Sequence, residues 1–290
     1  MSAIAQEVAS QPESWRRAAE LASGLGSEVG DRGMRVAIAG CGTSLYMARA
    51  VGALREARGW GETDAFAASE FPVGRRYDRV VAISRSGTTT EVIQLLERLD
   101  TGDRTVITAE AGAPAASLAE ATIVLDFADE RSVVQTRFAT SVLALFRALL
   151  GQDLGIAIAD AERALAEPWD PPAFDHAVFL GHGWTVGLAE EAALKLREAT
   201  QTYSEAYPAM EYRHGPISLA TGRSLVWIFG TPDPAVAGDA AATGATVRVA
   251  SLDPMAELVL VHRTAIALAE AKGLDPDHPV HLTRSVVLPS

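Results

Sequence analysis

A single cysteine, Cys41, in 290 residues excludes an intrachain disulfide and any metal site built from several thiolates of one chain. It is expected to be a small buried residue. Cations are also in short supply: 25 Lys and Arg stand against 37 Asp and Glu, for a formal charge of -12 and a pI near 5.0. A phosphate-backbone footprint needs clustered Lys and Arg, so nucleic acid is not an expected partner. No run approaches about 18 uncharged apolar residues, and the opening MSAIAQEVASQPESWRRAAEL has no charged start followed by an apolar core. The sequence therefore predicts a cytoplasmic chain with no membrane partner. The pattern G-x-x-x-x-G-K-[ST] is absent, which disfavours a nucleoside triphosphate held by a P-loop.

Apolar residues, in contrast, make up 48% of the chain, enough for one large domain or two joined modules. After a helix predicted over about residues 12–24, RVAIAGC reads as a buried strand and TSLYMARAVGALREA as the helix that follows. The strand-then-helix pattern returns as RVVAIS with TTEVIQLLERL, as RTVITA with the short APAASLAEA, and as TIVLDF with VVQTRFATSVLALFRALL. These runs predict an α/β fold with mainly parallel sheets between helices. The rhythm relaxes near residue 151 into a connecting helix and a Pro-rich stretch. The predicted organisation is an N-terminal helical segment over 1–30, a first domain over 31–152 and a second over 153–290.

The second half repeats the start of the first, with Gly40, Gly42 and Ser44 recurring as Gly181, Gly183 and Thr185. The halves are not equivalent. ISRSGTTTE, residues 83–91, brings Ser84, Ser86, Thr88, Thr89 and Thr90 around Gly87, whereas the corresponding later loop reads GTPDP. That asymmetry predicts one binding cleft shared by two modules. Gly40-x-Gly42 lacks the third glycine of a dinucleotide fingerprint, because position 45 is Leu. No nicotinamide or other cofactor is predicted, and no metal. A capping box with Thr88 as the cap and Glu91 reaching back accounts for one hydroxyl of the loop. The other hydroxyls, at a helix N-terminus after a strand, suit a phosphate monoester, with Ser84, Ser86, Thr89 and backbone donors around its oxygens.

The densest ionisable set is LAEEAALKLREATQTYSEAYPAMEYRHGP. Glu191, Lys195 and Glu198 stand at i, i+4 and i+7, on one face of a helix whose neighbouring positions are apolar. A solvated salt-bridged face is the ordinary outcome of such spacing. Glutamate together with His214 is also the pairing needed to open a sugar ring and move a carbon-bound proton.

With these residues assembled, the chain resembles the sugar isomerase (SIS) family, and within it the isomerase half of glucosamine-6-phosphate synthase and related phosphosugar deaminases and deglycases. EVASQP, CGTS at 41–44, SRSGTT at 84–89, EEAALKLRE at 190–198, EAYPAMEYRHGP at 205–216 and HLTRSVVLP carry the resemblance, which spans nearly the whole length. It implies two tandem SIS domains and a sugar 6-phosphate substrate. Cys41, Gly42, Thr43, Ser44, Ser84, Ser86 and Thr89 are then implied at the phosphate, with Arg85 where the synthase usually has Gln. Glu198 is implied as the C1/C2 proton carrier and His214 as the ring-opening group, donated across a homodimer interface. Glu191 and Lys195 line or support the same site, and Gln135 and Thr136 fall in the sugar-contacting stretch. With no glutaminase domain and no N-terminal Cys nucleophile, the chain is expected not to be a synthase. Arg284 stands where the synthase has a Schiff-base Lys, and a guanidinium is a poor imine former. It is expected to clamp a substrate oxygen. The implied activity is isomerisation coupled to loss of the amine. Simple aldose-ketose isomerisation and a non-catalytic sugar-phosphate sensor are the alternatives.

Overall fold

A computed structural model describes residues 1–99, 103–231 and 233–288. Its first sheet is made of β1 (Val36–Gly40), β2 (Thr63–Ala67), β3 (Arg79–Ile83), β4 (Asp103–Thr108) and β5 (Ala121–Val124), in the order β2-β1-β3-β4-β5 with every neighbour parallel. The second sheet is made of β6 (His176–Gly181), β7 (Tyr203–Pro208), β8 (Ser224–Ile228) and β9 (Thr246–Val249), in the order β7-β6-β8-β9, again parallel. The second order reproduces the first four strands of the first sheet, as the repeated glycine turn predicted. Strands β2, β7 and β9 have no counterpart in the sequence reading. Each is short and only partly covered, so neither an apolar run nor a clean two-residue alternation marks it.

Helices fill the connections: α3 (Thr43–Ala57), α4 (Thr90–Arg98), α5 (Arg137–Leu149), α6 (Gly155–Ala166), α7 (Thr185–Thr200), α8 (Pro234–Ala242) and α9 (Pro254–Ala271). The helix predicted over about residues 12–24 is α2 (Gln11–Ala22), with Pro12 in its first turn where the missing N–H costs nothing, and it is preceded across Ser10 by α1 (Ala3–Ala9), for which the sequence reading had no counterpart. APAASLAEA forms only a 3-10 turn over Pro114–Leu118.

Strand pleating sorts the core. Val36 and Ile38 of β1 join Phe179 and Trp227 of the second sheet in one continuous cluster with α3, α5, α7 and α9, while Ala37 and Ala39 face the outer side with Val80, Ala82 and α4. The two sheets thus share their main core. Helices α3 and α7 approach closely inside it because position 187 is glycine; a Cβ there would lie 2.4 Å from the Tyr46 carbonyl oxygen and 2.9 Å from the Ala50 nitrogen. Among the described residues, no helix is long and apolar enough to cross a membrane.

Candidate functional site

Ligands of open parallel sheets bind at the carboxyl ends of strands where the strand order reverses. In the first sheet that point lies between β1 and β3, whose last residues Gly40 and Ile83 are register partners. The turn 41–44 and the hydroxyl loop beginning at Ser84 are therefore neighbours although about 40 residues separate them in the chain. Gly42 takes φ +54°, and a Cβ at Gly40 would meet the Ser44 Cβ at 2.7 Å, so this turn needs both glycines. Ser44 is buried, and its hydroxyl makes no hydrogen bond among the described residues. Its counterpart Thr185 is used locally: Thr185 Oγ1 accepts from the His182 N–H at 2.8 Å and donates to the His182 carbonyl at 3.0 Å. The second glycine turn is thus filled by its own side chain, and the first is not.

In the hydroxyl loop, Ser84 Oγ accepts from the Gly87 N–H at 3.1 Å and pairs with Thr89 Oγ1 at 3.2 Å. Gly87 has φ +59°, and a Cβ there would lie 2.3 Å from the Ala113 Cβ. The predicted capping box is not formed: the N-cap of α4 is Thr89, and no side chain caps it. Thr88 turns the other way, donating to Ser86 Oγ at 2.9 Å and lying 3.0 Å from Ser285 Oγ. The C-terminal segment covers this loop. Ser86 Oγ reaches Ser285 Oγ at 3.2 Å, the Thr90 N–H donates to the Val286 carbonyl at 3.1 Å, and the Leu288 N–H donates to Thr90 Oγ1 at 2.9 Å.

Both arginines near this loop are engaged by protein groups. Arg85 is buried, with Nη1 donating to the Ser132 carbonyl at 2.9 Å and Nη2 to the Arg284 carbonyl at 2.7 Å. It ties the loop to the 130s segment and to the tail, and burial pulls its pKa down. Arg284 directs Nη2 to Asp129 Oδ1 at 2.7 Å and Glu110 Oε1 at 3.0 Å. Two carboxylates thus hold the donor that was expected on a substrate oxygen.

The face of α7 carries the strongest electrostatics. Lys195, 1% exposed at its side chain, donates to Glu198 Oε2 at 2.5 Å and to Thr43 Oγ1 at 3.1 Å, and lies 3.5 Å from Glu191 Oε1. Helical spacing puts the three charges on one face as predicted, but the face is interior. Burial raises the Glu191 carboxyl to about 8 against the attraction of Lys195. Burial opposes the charge on Lys195, yet Glu191 and Glu198 outweigh it and hold the ammonium above its ordinary pKa. Glu198 is the open member, with a side chain 19% exposed against 1% for Glu191.

The hydroxyl of Thr136 is committed within its own turn. Glu130 Oε1 accepts from Thr136 Oγ1 at 2.8 Å and from the N–H groups of Thr136 at 2.5 Å and Arg137 at 2.8 Å, so Glu130 caps α5. Gln135 Oε1 is buried with no protein partner among the described residues. Glu130 had no sequence signal, because six residues separate it from the turn it caps. Cys41 is half-buried, and burial pushes its thiol up to about 11. It is no ready nucleophile.

His214 stands apart. It ends the 3-10 turn Glu211–His214, is exposed, and belongs to the element whose Tyr212 packs with Val178 and Leu180. Helix α7 packs on the other face of the same strand, with Ala177 and Phe179. One chain therefore places His214 and Glu198 on opposite sides of the second sheet.

No family model matches the chain. The glutamine–fructose-6-phosphate aminotransferase (isomerizing) of Aeropyrum pernix is 34% identical over 138 residues, 38% of this chain and 22% of that protein. The aminotransferase of the same name from Pyrobaculum aerophilum is 26% identical over 264 residues, 73% and 44% of the two chains. The chain spans less than half the length of these curated relatives. Among solved structures, glucosamine-6-phosphate deaminase from Thermotoga maritima superposes with a TM-score of 0.84 at 26% identity, covering 99% of this chain and 100% of that one. The tagatose-6-phosphate ketose/aldose isomerase of Escherichia coli, with a TM-score of 0.79 at 18% identity over 95% and 96% of the chains, shares the fold.

Proposed function

We propose that the chain is a member of the sugar isomerase (SIS) family, a cytoplasmic, homodimeric phosphosugar isomerase and deaminase of two SIS domains. The substrate is an amino-sugar or ketosamine 6-phosphate. One observation carries the proposal: a buried Lys195 holds Glu198, alone of its two α7 carboxylate neighbours, open to solvent while bonding Thr43 in the glycine turn at the empty-handed Ser44.

The phosphate lies against Ser44, Ser84, Ser86 and Thr89, where hydroxyls and the N-terminal amides of α4 meet its oxygens without a lysine. His214 of the partner subunit opens the ring by moving the anomeric hydroxyl proton to the ring oxygen. The Glu198 carboxylate then takes the proton from C2 of the open 2-amino aldose and returns it at C1. The product is a C2 imine, which water hydrolyses to the ketose and free amine. Lys195 fixes Glu198 in position, and Glu191 stands beside it as the buried, proton-retaining carboxyl. The 26% identical Thermotoga maritima deaminase, superposing over 99% of this chain, favours loss of the amine over isomerisation alone.

A panel of sugar and amino-sugar 6-phosphates in heavy water tests the proposal. The expected result is amine release with deuterium at C1 of the ketose. Isomerisation without amine release would assign the simple isomerase, and tight binding with no exchange would assign a sensor.

A further inference from the structure

The hydroxyls grouped after β3 are joined by one from the far end of the chain. Ser285 Oγ lies 3.2 Å from Ser86 Oγ and 3.0 Å from Thr88 Oγ1, and Thr88 Oγ1 donates to Ser86 Oγ at 2.9 Å. Three hydroxyls thus form a closed triangle, each within hydrogen-bond reach of the other two. Ser86 is buried, whereas Thr88 and Ser285 are half-buried, so the triangle is not sealed from a ligand.

The backbone on either side of Ser285 fixes where its hydroxyl stands. The Arg284 carbonyl accepts from Arg85 Nη2 at 2.7 Å, and the Val286 carbonyl accepts from the Thr90 N–H at 3.1 Å. Both anchors are main-chain groups of the tail, so they do not depend on the side chain at 285. Two residues beyond, the Leu288 N–H donates to Thr90 Oγ1 at 2.9 Å.

The loop's own donors are partly spent. Ser84 Oγ takes the Gly87 N–H at 3.1 Å and pairs with Thr89 Oγ1 at 3.2 Å, and the Thr90 N–H, the first amide of α4, goes to Val286. Neither nearby guanidinium makes up the difference. Arg85 ends on the Ser132 and Arg284 carbonyls, and Arg284 Nη2 ends on Asp129 and Glu110. A phosphate taken out of water needs donors for its oxygens. The tail occupies one amide and brings one hydroxyl.

Resting on the proposed function, we infer that Ser285 is a phosphate-binding residue, its Oγ donating to the phosphate oxygen that Ser86 and Thr88 also face. A hydroxyl proton rotates to suit its acceptor, so the triangle that bonds within itself in the free protein turns its protons to the ligand. The tail then completes the phosphate site, and selectivity for a phosphorylated sugar depends on a residue 199 positions from Ser86.

Calorimetry on the full chain with glucosamine 6-phosphate, inorganic phosphate and glucosamine tests the assignment. Ser285→Ala should weaken the first two about 10- to 150-fold, the ratio that corresponds to one hydrogen bond to a charged group, and leave glucosamine unchanged. Ser285→Thr, which keeps the hydroxyl, should restore phosphate binding. Hydrogen exchange at the Thr90 amide reports whether the tail stays docked, and its protection should persist in Ser285→Ala. Wild-type affinity for both phosphorylated ligands in Ser285→Ala overturns the inference. So does an affinity loss accompanied by loss of Thr90 protection, because the serine would then only dock the tail. The phosphate reading itself fails by a different result: a wild-type protein that binds glucosamine and its 6-phosphate equally loses that reading, and the role of Ser285 with it.

Discussion

Lys195 Nζ, on the helix that follows β6, donates to Thr43 Oγ1, on the first turn of the helix that follows β1, at 3.1 Å. This bond joins the two halves of the duplicated chain at the residues that matter, and it exists because α3 and α7 run antiparallel and in close contact at Gly187. Breaking a buried ion pair by removing one partner typically costs about 3 to 5 kcal/mol. Lys195→Met should therefore lower thermal stability strongly, and adding Glu198→Gln, which removes the carboxylate bonded to Lys195, should recover part of the loss. Equal melting temperatures for wild type and Lys195→Met would show that the pair carries no structural weight.

The hydroxyl loop should act on the phosphate alone. Ser86→Ala and Thr89→Ala are each expected to weaken phosphosugar binding by about 1.5 to 3 kcal/mol, the range for a hydrogen bond to a charged group. Calorimetry with the matching unphosphorylated sugar should show no further loss. If wild type binds both sugars equally, the loop serves only to shape the turn.

Much of this arrangement was legible in the sequence, and the exceptions have physical causes. The β1 and β3 strands and the helices after them were readable because buried parallel strands are continuous apolar runs, and the helix α3 was placed at the residues where it lies. Helical spacing put Glu191, Lys195 and Glu198 on one face, but spacing alone cannot say that the face is interior. That follows from the second sheet packing against the first. Arg85 reads as a ligand in a row of hydroxyls, whereas its reach sends the guanidinium past the loop to the Ser132 and Arg284 carbonyls. Glu130, six residues before the turn it caps, and Ser285, 199 residues from Ser86, act through contacts for which no local pattern exists.

Stability should fall on both sides of a mildly acid optimum, for two separable reasons. Glu191 has a folded pKa raised to about 8, so the folded state binds its proton more tightly. That contribution is complete below the unfolded value of about 4.3 and is lost as pH rises through 8. His262 on α9 is lowered by burial to about 3, so its contribution is complete above the unfolded value of about 6.5 and is lost as pH falls. Chemical denaturation across pH should show the alkaline limb flattened in Glu191→Gln and the acid limb flattened in His262→Gln. Unchanged limbs in the matching variants would contradict these assignments.

Assembly is testable through the opposite placement of His214 and Glu198 within one chain. His214→Ala and Glu198→Gln should each be inactive as homodimers. Mixed after subunit exchange, they should regain about a quarter of wild-type activity per total site, because a two-fold heterodimer holds one intact composite site. Verified exchange with no recovery would show that each chain builds its own site.

The central claim is that Glu198 carries the proton between C1 and C2, and deuterium incorporation in heavy water measures it most directly. Glu198→Gln keeps the size and hydrogen-bonding reach of the side chain but cannot accept a proton from carbon. It should bind the phosphosugar with near wild-type affinity and incorporate deuterium about 10² to 10⁴ times more slowly, the usual range for a lost general base. Incorporation at the wild-type rate in Glu198→Gln would contradict the account.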